Sequence, residues 1–206
     1  MHTVVVGAGI VGLSSAYHLA RRGATVAVLE KDGIGAGSTD RANGGIRAQF
    51  TSPVSVALSR ESIAVWERFE AEFGVDIGYR RPGYLLLARE PETAEAFAET
   101  VALQRDLGVP AELLDADELG EYCAGLHADE FVAGTFCARD GFADPYLAMQ
   151  GFAGAARGSG ATIETKTPVT EIHREGERVV GVETPAGRHE ADRVVNAAGP
   201  WAGRVA

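Results

Sequence analysis

Positive charge is scarce in this sequence: 19 lysines and arginines stand against 29 aspartates and glutamates, giving a formal charge of −10 and a pI near 5.0 over 206 residues. No run of Lys or Arg offsets that balance locally, so a nucleic-acid backbone is excluded as a partner. Cysteine is almost missing. Cys123 and Cys137 form no CxxC pair and have no histidine pair nearby, so they read as two buried free thiols rather than a disulfide or a metal site. The five histidines are scattered, none four residues from another, and no metal site is expected. Long apolar runs are absent as well. The run at 3–6 breaks at Gly7 and Gly9 without a basic segment before it, and nothing approaches the ~20 apolar residues of a membrane span. A cytoplasmic location follows as the expectation.

What is abundant is glycine. Its 26 residues exceed the norm of roughly 7% and imply tight turns or close approaches of backbone to a ligand. With 46% hydrophobic residues the chain can also bury a sizeable core.

Hydrophobic periodicity outlines the organisation. Residues 3–6 form a short apolar strand ending in glycines, 10–22 carry Val11, Ala16, Leu19 and Ala20 at helical spacing, and 25–29 are a second β-branched strand. Together they make a βαβ unit. Residues 33–50 turn to Gly, Ser, Thr, Asn and Asp without periodicity, which marks a long loop of the kind usually tied to function. A helix capped by Ser52, with Pro53 in its first turn, is expected to bury Leu58, Val65, Phe69 and Phe73 on one face. Trp66 joins that stripe as a core residue. Strands follow at 84–88 and 131–137, with a helix at 93–107 between them and an Asp115/Glu118 capping box. Asp144-Pro145 starts a further helix, 162–164 read as a parallel strand, 169–191 as an antiparallel meander and 194–197 as the last strand.

The chemistry concentrates at the first turn. Gly7, Gly9 and Gly12 make G-x-G-x-x-G between strand and helix: Gly7 for the turn, Gly9 to admit a pyrophosphate, Gly12 to seat the helix. The helix amides and dipole then face an anion. Glu30, at the end of the second strand, can accept both hydroxyls of a ribose and repels a 2′-phosphate. NADP is thereby disfavoured, while NAD and FAD both fit. The loop after Glu30 adds two more glycine-rich approaches, Gly35-Ala36-Gly37-Ser38-Thr39 and Asn43-Gly44-Gly45-Ile46, which a simple NAD domain rarely needs.

With these residues, and with Asp140-Gly141, Asp144-Pro145 and Val195-Asn196-Ala197-Ala198-Gly199-Pro200-Trp201, the chain resembles the D-amino-acid oxidase family of flavoproteins, in its glycine oxidase and sarcosine oxidase β-subunit branch. The resemblance implies FAD as cofactor, held by Gly7, Ala8, Gly9, Ile10, Val11, Gly12, Glu30 and Lys31. It implies that Ser38 and Thr39 reach the pyrophosphate region and that Asn43, Gly44, Gly45 and Ile46 belong to the cofactor site, the last three along the flavin. It further implies that Val169 meets the adenine through its backbone and that Ala197, Ala198 and Gly199 lie under the dinucleotide. Strand ends rich in small residues suit the last point independently.

The fold class implied is α/β: a Rossmann-like FAD-binding sheet with an antiparallel meander at 1–50 and 140–206, and an inserted, partial α+β substrate domain at 51–139. A full-length member of the family continues beyond the point equivalent to Ala206. The family's reaction is oxidation of the C–N bond of an amino acid or N-methylated amine by hydride transfer to flavin, with a small molecule as partner and oligomerisation left open. Arg47 or Gln49 could anchor a substrate carboxylate, Arg by a bidentate fork. No catalytic side chain is assigned. Oxidation of a C–O bond in a 2-hydroxyacid or glycerol phosphate, and a non-catalytic FAD-binding subunit, are the other readings.

Overall fold

The computed structural model describes all residues, Met1–Ala206. The chain opens with β1 (His2–Val6), α1 (Ile10–Arg21) and β2 (Thr25–Leu29), followed by the glycine-rich loop, β3 (Gly45–Ile46), α2 (Pro53–Trp66) and α3 (Phe69–Phe73). Next come β4 (Tyr84–Ala88), α4 (Pro91–Asp106), β5 (Glu112–Asp115), α5 (Leu119–Tyr122), β6 (Ala133–Cys137) and β7 (Gly141–Phe142). The last third holds α6 (Pro145–Gly158), β8 (Thr162–Glu164), β9 (Glu171–Glu175), β10 (Arg178–Thr184), β11 (Gly187–Glu190), β12 (Arg193–Asn196) and α7 (Ala202–Val205).

These elements form two compact units. The first comprises Met1–Asn43, Phe69–Ile77 and Asp144–Ala206, the second Gly44–Arg68 and Gly78–Ala143. The division differs from the sequence-based one at both edges: 44–50 and 140–143 fall in the second unit, and the short stretch 69–77 in the first.

In the first unit a parallel sheet runs in the order β12-β1-β2-β8. β1 and β2 are central, so Val4, Val5, Val6, Val28 and Leu29 are buried on both faces, as continuous apolar runs in parallel strands should be. The meander β11-β10-β9 places Val182 and Ala191 against Val4, Val6 and Leu29. On the helical side α6 packs against α1. Asp144 caps α6 by accepting the Tyr146 and Leu147 N–H groups at 2.8 and 3.1 Å, with Pro145 in the first turn.

The expected stripe from Leu58 to Phe73 is corrected here. α2 ends at Trp66, Leu58 is 65% exposed, and the buried residues of α2 are Val56 and Ile63. Phe69 and Phe73 sit on the separate α3, where they join Phe152 of α6 and Tyr17 of α1 in an aromatic cluster of the first unit. Phe69 meets Phe152 edge-on at 5.2 Å, a favourable arrangement of ring quadrupoles. A helical period continued across residues 67 and 68 cannot reveal that the chain changes units there.

The second unit holds the antiparallel sheet β4-β6-β5, the β3-β7 ribbon, α2 and α4. Its core gathers Ala48, Val56, Ile63, Val101, Val109, Ala111 and Cys137, with Trp66 partly buried against them. The two-residue strands β3 and β7 are too short to show a period, and β5, with Leu114 its one buried residue, lacks the alternation that marks a strand. Glu118 accepts the Asp115 N–H at 2.8 Å, as the capping box anticipates, although what it starts is a single 3-10 turn, Ala116–Glu118, leading into α5. The cysteine expectation holds for Cys137 alone, since Cys123 is exposed; both are free thiols.

Phe69→Ala should lower the unfolding free energy by about 3–5 kcal/mol, because Phe69 is 1% exposed and its ring has aromatic neighbours on two helices. Urea denaturation measures this, and a loss below about 1 kcal/mol would mean that the cluster does not hold α3 in place.

Candidate functional site

At the end of β1 three backbone segments come together with no room for a side chain. Gly7 has φ +102°, and a Cβ there would lie 2.6 Å from the Ala197 carbonyl oxygen at the end of β12. A Cβ on Gly12 would overlap the Gly7 carbonyl, so α1 sits directly on the turn. Gly9 precedes the first helical residue and supplies no capping side chain. Thr39 Oγ1, from the loop after β2, accepts the Ile10 N–H at 3.1 Å and faces Gly9, whose Cβ would stand 3.1 Å from that oxygen. The helix start is therefore narrow, polar and electropositive, the arrangement that attracts a phosphate.

Glu30 follows β2 and is oriented by backbone. Its Oε2 accepts the Ala8 N–H at 2.8 Å and its Oε1 the Asp32 N–H at 2.9 Å. Each carboxylate oxygen retains lone-pair capacity, so two hydroxyls could still be received side by side. Ala8 is fully buried, and its N–H is engaged by Glu30.

A cavity of about 250 Å³ runs between these groups. Of the expected cofactor residues, Gly7, Gly9, Ile10, Val11, Glu30 and Lys31 line it. So do Ser38, Thr39, Val169, Ala197, Ala198 and Gly199. Ala8, Gly12 and Asn43 are not among the residues that line it. The rest of the wall is Val6, Leu29, Asp32, Gly35, Gly37, Pro168, Pro200, Trp201 and Val205; of these, Gly35 and Gly37 belong to the glycine-rich approach expected from the sequence, whereas Asp32 and Pro168 carry no such signal. Pro200 and Trp201 entered only as part of the segment that carries the family resemblance.

Gly44, Gly45, Ile46, Arg47 and Gln49 belong to the second unit. Gly45, Ile46 and Arg47 line a second cavity there, of about 480 Å³, together with Phe50, Ser59, Ser62, Ile63, Trp66 and Tyr84. The Tyr84 hydroxyl stands against Gly45, where a Cβ would have to displace it. Arg47 is exposed, with its guanidinium 5.1 Å from the Phe50 ring centre. Gln49 is in a different situation. It is 5% exposed, donates from Nε2 to the Tyr84 carbonyl at 2.9 Å and to Asp140 Oδ2 at 3.1 Å, and accepts the Thr135 hydroxyl at 2.6 Å. Its amide is a strut inside the unit, which leaves Arg47 as the member of the pair open to a ligand.

Asp140 is completely buried and also accepts the Ala48 N–H at 2.9 Å. Burial pushes its carboxyl above the usual carboxylate range in spite of these donors, and burial together with Asp140 pushes the Cys137 thiol up.

Two outcomes follow. Gly9→Val should leave the helix content intact while displacing Thr39 and narrowing the helix start, so dinucleotide affinity should fall at least about tenfold. Wild-type affinity in equilibrium dialysis would sink the placement of the pyrophosphate. The second outcome concerns pH. The folded protein holds a proton on Asp140 more tightly than the unfolded chain, so the resulting stability is complete below about pH 3.9 and is lost as pH rises through the folded value. The unfolding free energy of wild type relative to Asp140→Asn should therefore decrease across the acidic range, and a pH-independent difference would show that Asp140 does not titrate there.

Comparison with known proteins places this geometry in context. The family described as FAD dependent oxidoreductase matches residues 2–206. The chain is 35% identical to the mitochondrial dimethylglycine dehydrogenase of Rattus norvegicus over 98% of its own length and 24% of that protein's. It is 33% identical to glycine oxidase of Bacillus licheniformis, covering 98% of this chain and 55% of that one. Among solved structures, L-proline dehydrogenase from P. horikoshii superposes with a TM-score of 0.91 at 35% identity, over 99% of this chain and 54% of the other. The chain thus spans between a quarter and about half of the length of these relatives.

Proposed function

This chain belongs to the family of FAD-dependent oxidoreductases, and on that premise we propose that the protein containing it oxidises the C–N bond of an amino acid or N-methylated amine. The observation that carries the cofactor half of this reading is the convergence of the three-glycine contact, the start of α1, whose N-cap Gly9 brings no side chain, and the backbone-held Glu30 on one cavity. The residues fit FAD. The start of α1 receives the pyrophosphate, Glu30 the ribose hydroxyls, and Val169 the adenine through its backbone. Ser38 and Thr39 stand beside the phosphates, while Asn43, Gly44, Gly45 and Ile46 are assigned to the cofactor by resemblance. FAD, when bound, supplies the two-electron acceptor that no side chain can provide.

The amine half draws on the second cavity and on what the relatives' names say they act on: dimethylglycine, glycine and L-proline. Arg47 offers a planar fork for a carboxylate at the cavity wall. Phe50, Trp66 and Tyr84 line the same space, and aromatic rings attract an alkylated ammonium group. These residues bind and orient an amino acid.

The test is the visible spectrum of the purified protein, supplemented with FAD, before and after anaerobic addition of sarcosine, dimethylglycine, glycine and proline. A yellow protein bleached by one of them is the expected result; a protein that takes up no FAD, or is bleached by lactate or glycerol phosphate instead, overturns the reading. With the amine identified, Arg47→Ala should raise KM by about ten- to a hundredfold, the size of a lost charged hydrogen bond, with a smaller change in kcat. An unchanged KM would place the carboxylate elsewhere.

A further inference from the structure

One wall of the dinucleotide groove is not explained by the glycine motif. The indole of Trp201, in the turn after β12, lies 4.4 Å from Lys31 Nζ. The same ring reaches the glycine-rich loop, where a Cβ on Gly37 would stand 3.4 Å from its Cζ3. Three groove-lining segments, at residues 31, 37 and 201, therefore meet on a single side chain.

Each arm of this junction is braced. Lys31 is paired with Asp32 at 2.8 Å, and Arg41 donates to the Ala36 and Gly37 carbonyls at 2.9 and 2.8 Å. The turn that carries Trp201 is closed by its N–H on the Ala198 carbonyl at 3.1 Å, and the Asn196 amide donates to the Ala202 carbonyl at 2.9 Å. The ring is thus held from behind while its face and edge contact two other segments. The phosphate-facing amides and the ribose acid act from inside the groove, whereas this contact lies along its edge and joins elements remote in sequence.

We infer that Lys31 and Trp201 form a clasp along the groove that retains the ADP half of the bound dinucleotide by slowing its escape. The inference rests on the reading that this groove holds FAD. A ligand seated among all three segments leaves when one of them separates, and the contact resisting separation is the cation–π pair together with the ring against Gly37. An ordered junction of this kind acts chiefly on dissociation, because the open form presents the same phosphate and ribose groups to an arriving ligand.

The experiment is a double-mutant cycle on the full chain with Lys31→Met, Trp201→Leu and the pair. FAD association and release are followed by flavin fluorescence, and ADP is measured as a competitor. Each single variant should release FAD about three- to tenfold faster, with association within about twofold of wild type, and the pair should be no faster than the faster single. ADP should weaken in parallel. Additive effects would overturn the clasp, since Lys31 would then act on the phosphates independently of Trp201, and unchanged release in both singles would overturn it equally. Should Trp201→Leu fail to fold by circular dichroism, Trp201→Phe, which keeps a weaker aromatic face, replaces it and should give an intermediate release rate; a wild-type rate in that variant counts against the clasp. Wild-type protein that takes up no FAD removes the flavin reading and the clasp with it, whereas normal uptake without coupling removes the clasp alone.

Discussion

Everything in the first unit depends on one backbone contact: the turn at Gly7 meets the end of β12 on one side and the start of α1 on the other, with no Cβ between. Because the strand ends, the turn and the helix axis share this point, the amides at the start of α1 open toward the same space as the carboxyl ends of β1, β2 and β12. Parallel sheets bind ligands at that edge for this reason. A side chain at Gly7 or Gly12 would not merely crowd the groove. It would push helix and sheet apart and remove the groove as a geometric object.

Polar groups complete the two clefts by opposite means. In the groove, Glu30 is oriented by backbone N–H groups while its remaining acceptor capacity faces the cavity. In the second unit, Asp140, Gln49 and Thr135 satisfy one another inside the protein, and the segment carrying Ala48 and Gln49 is thereby held firm behind Arg47. Burying a carboxylate is costly, and the upward displacement of the Asp140 pKa expresses that cost. Several donors converge on it, as a buried acceptor requires, and the result is a rigid backing for an exposed cation.

Gln49 and Arg47 illustrate how far local sequence carries. Both follow the same glycine-rich loop and both offer hydrogen bonds suited to a carboxylate. Their different roles come from strands β4 and β6 and the turn at Asp140, which surround one and leave the other at the surface. Phe69 and Phe73 make the same point for packing: their helical spacing is correct, but the face they cover belongs to α1 and α6 rather than to the core beside α2.

The sequence by itself determined the βαβ unit, its G-x-G-x-x-G turn, the acid after β2, the proline-started helices and the antiparallel meander. Each of these is a local matter of period, cap or glycine conformation within a few residues. The division of residues 44–77 between two units, the pairing of the two-residue strands β3 and β7, the engagement of the Ala8 N–H by Glu30 and the meeting of Lys31 with Trp201 were decided only by tertiary structure. They join positions tens of residues apart, or choose between faces that a linear pattern leaves equivalent, and so leave no local signature.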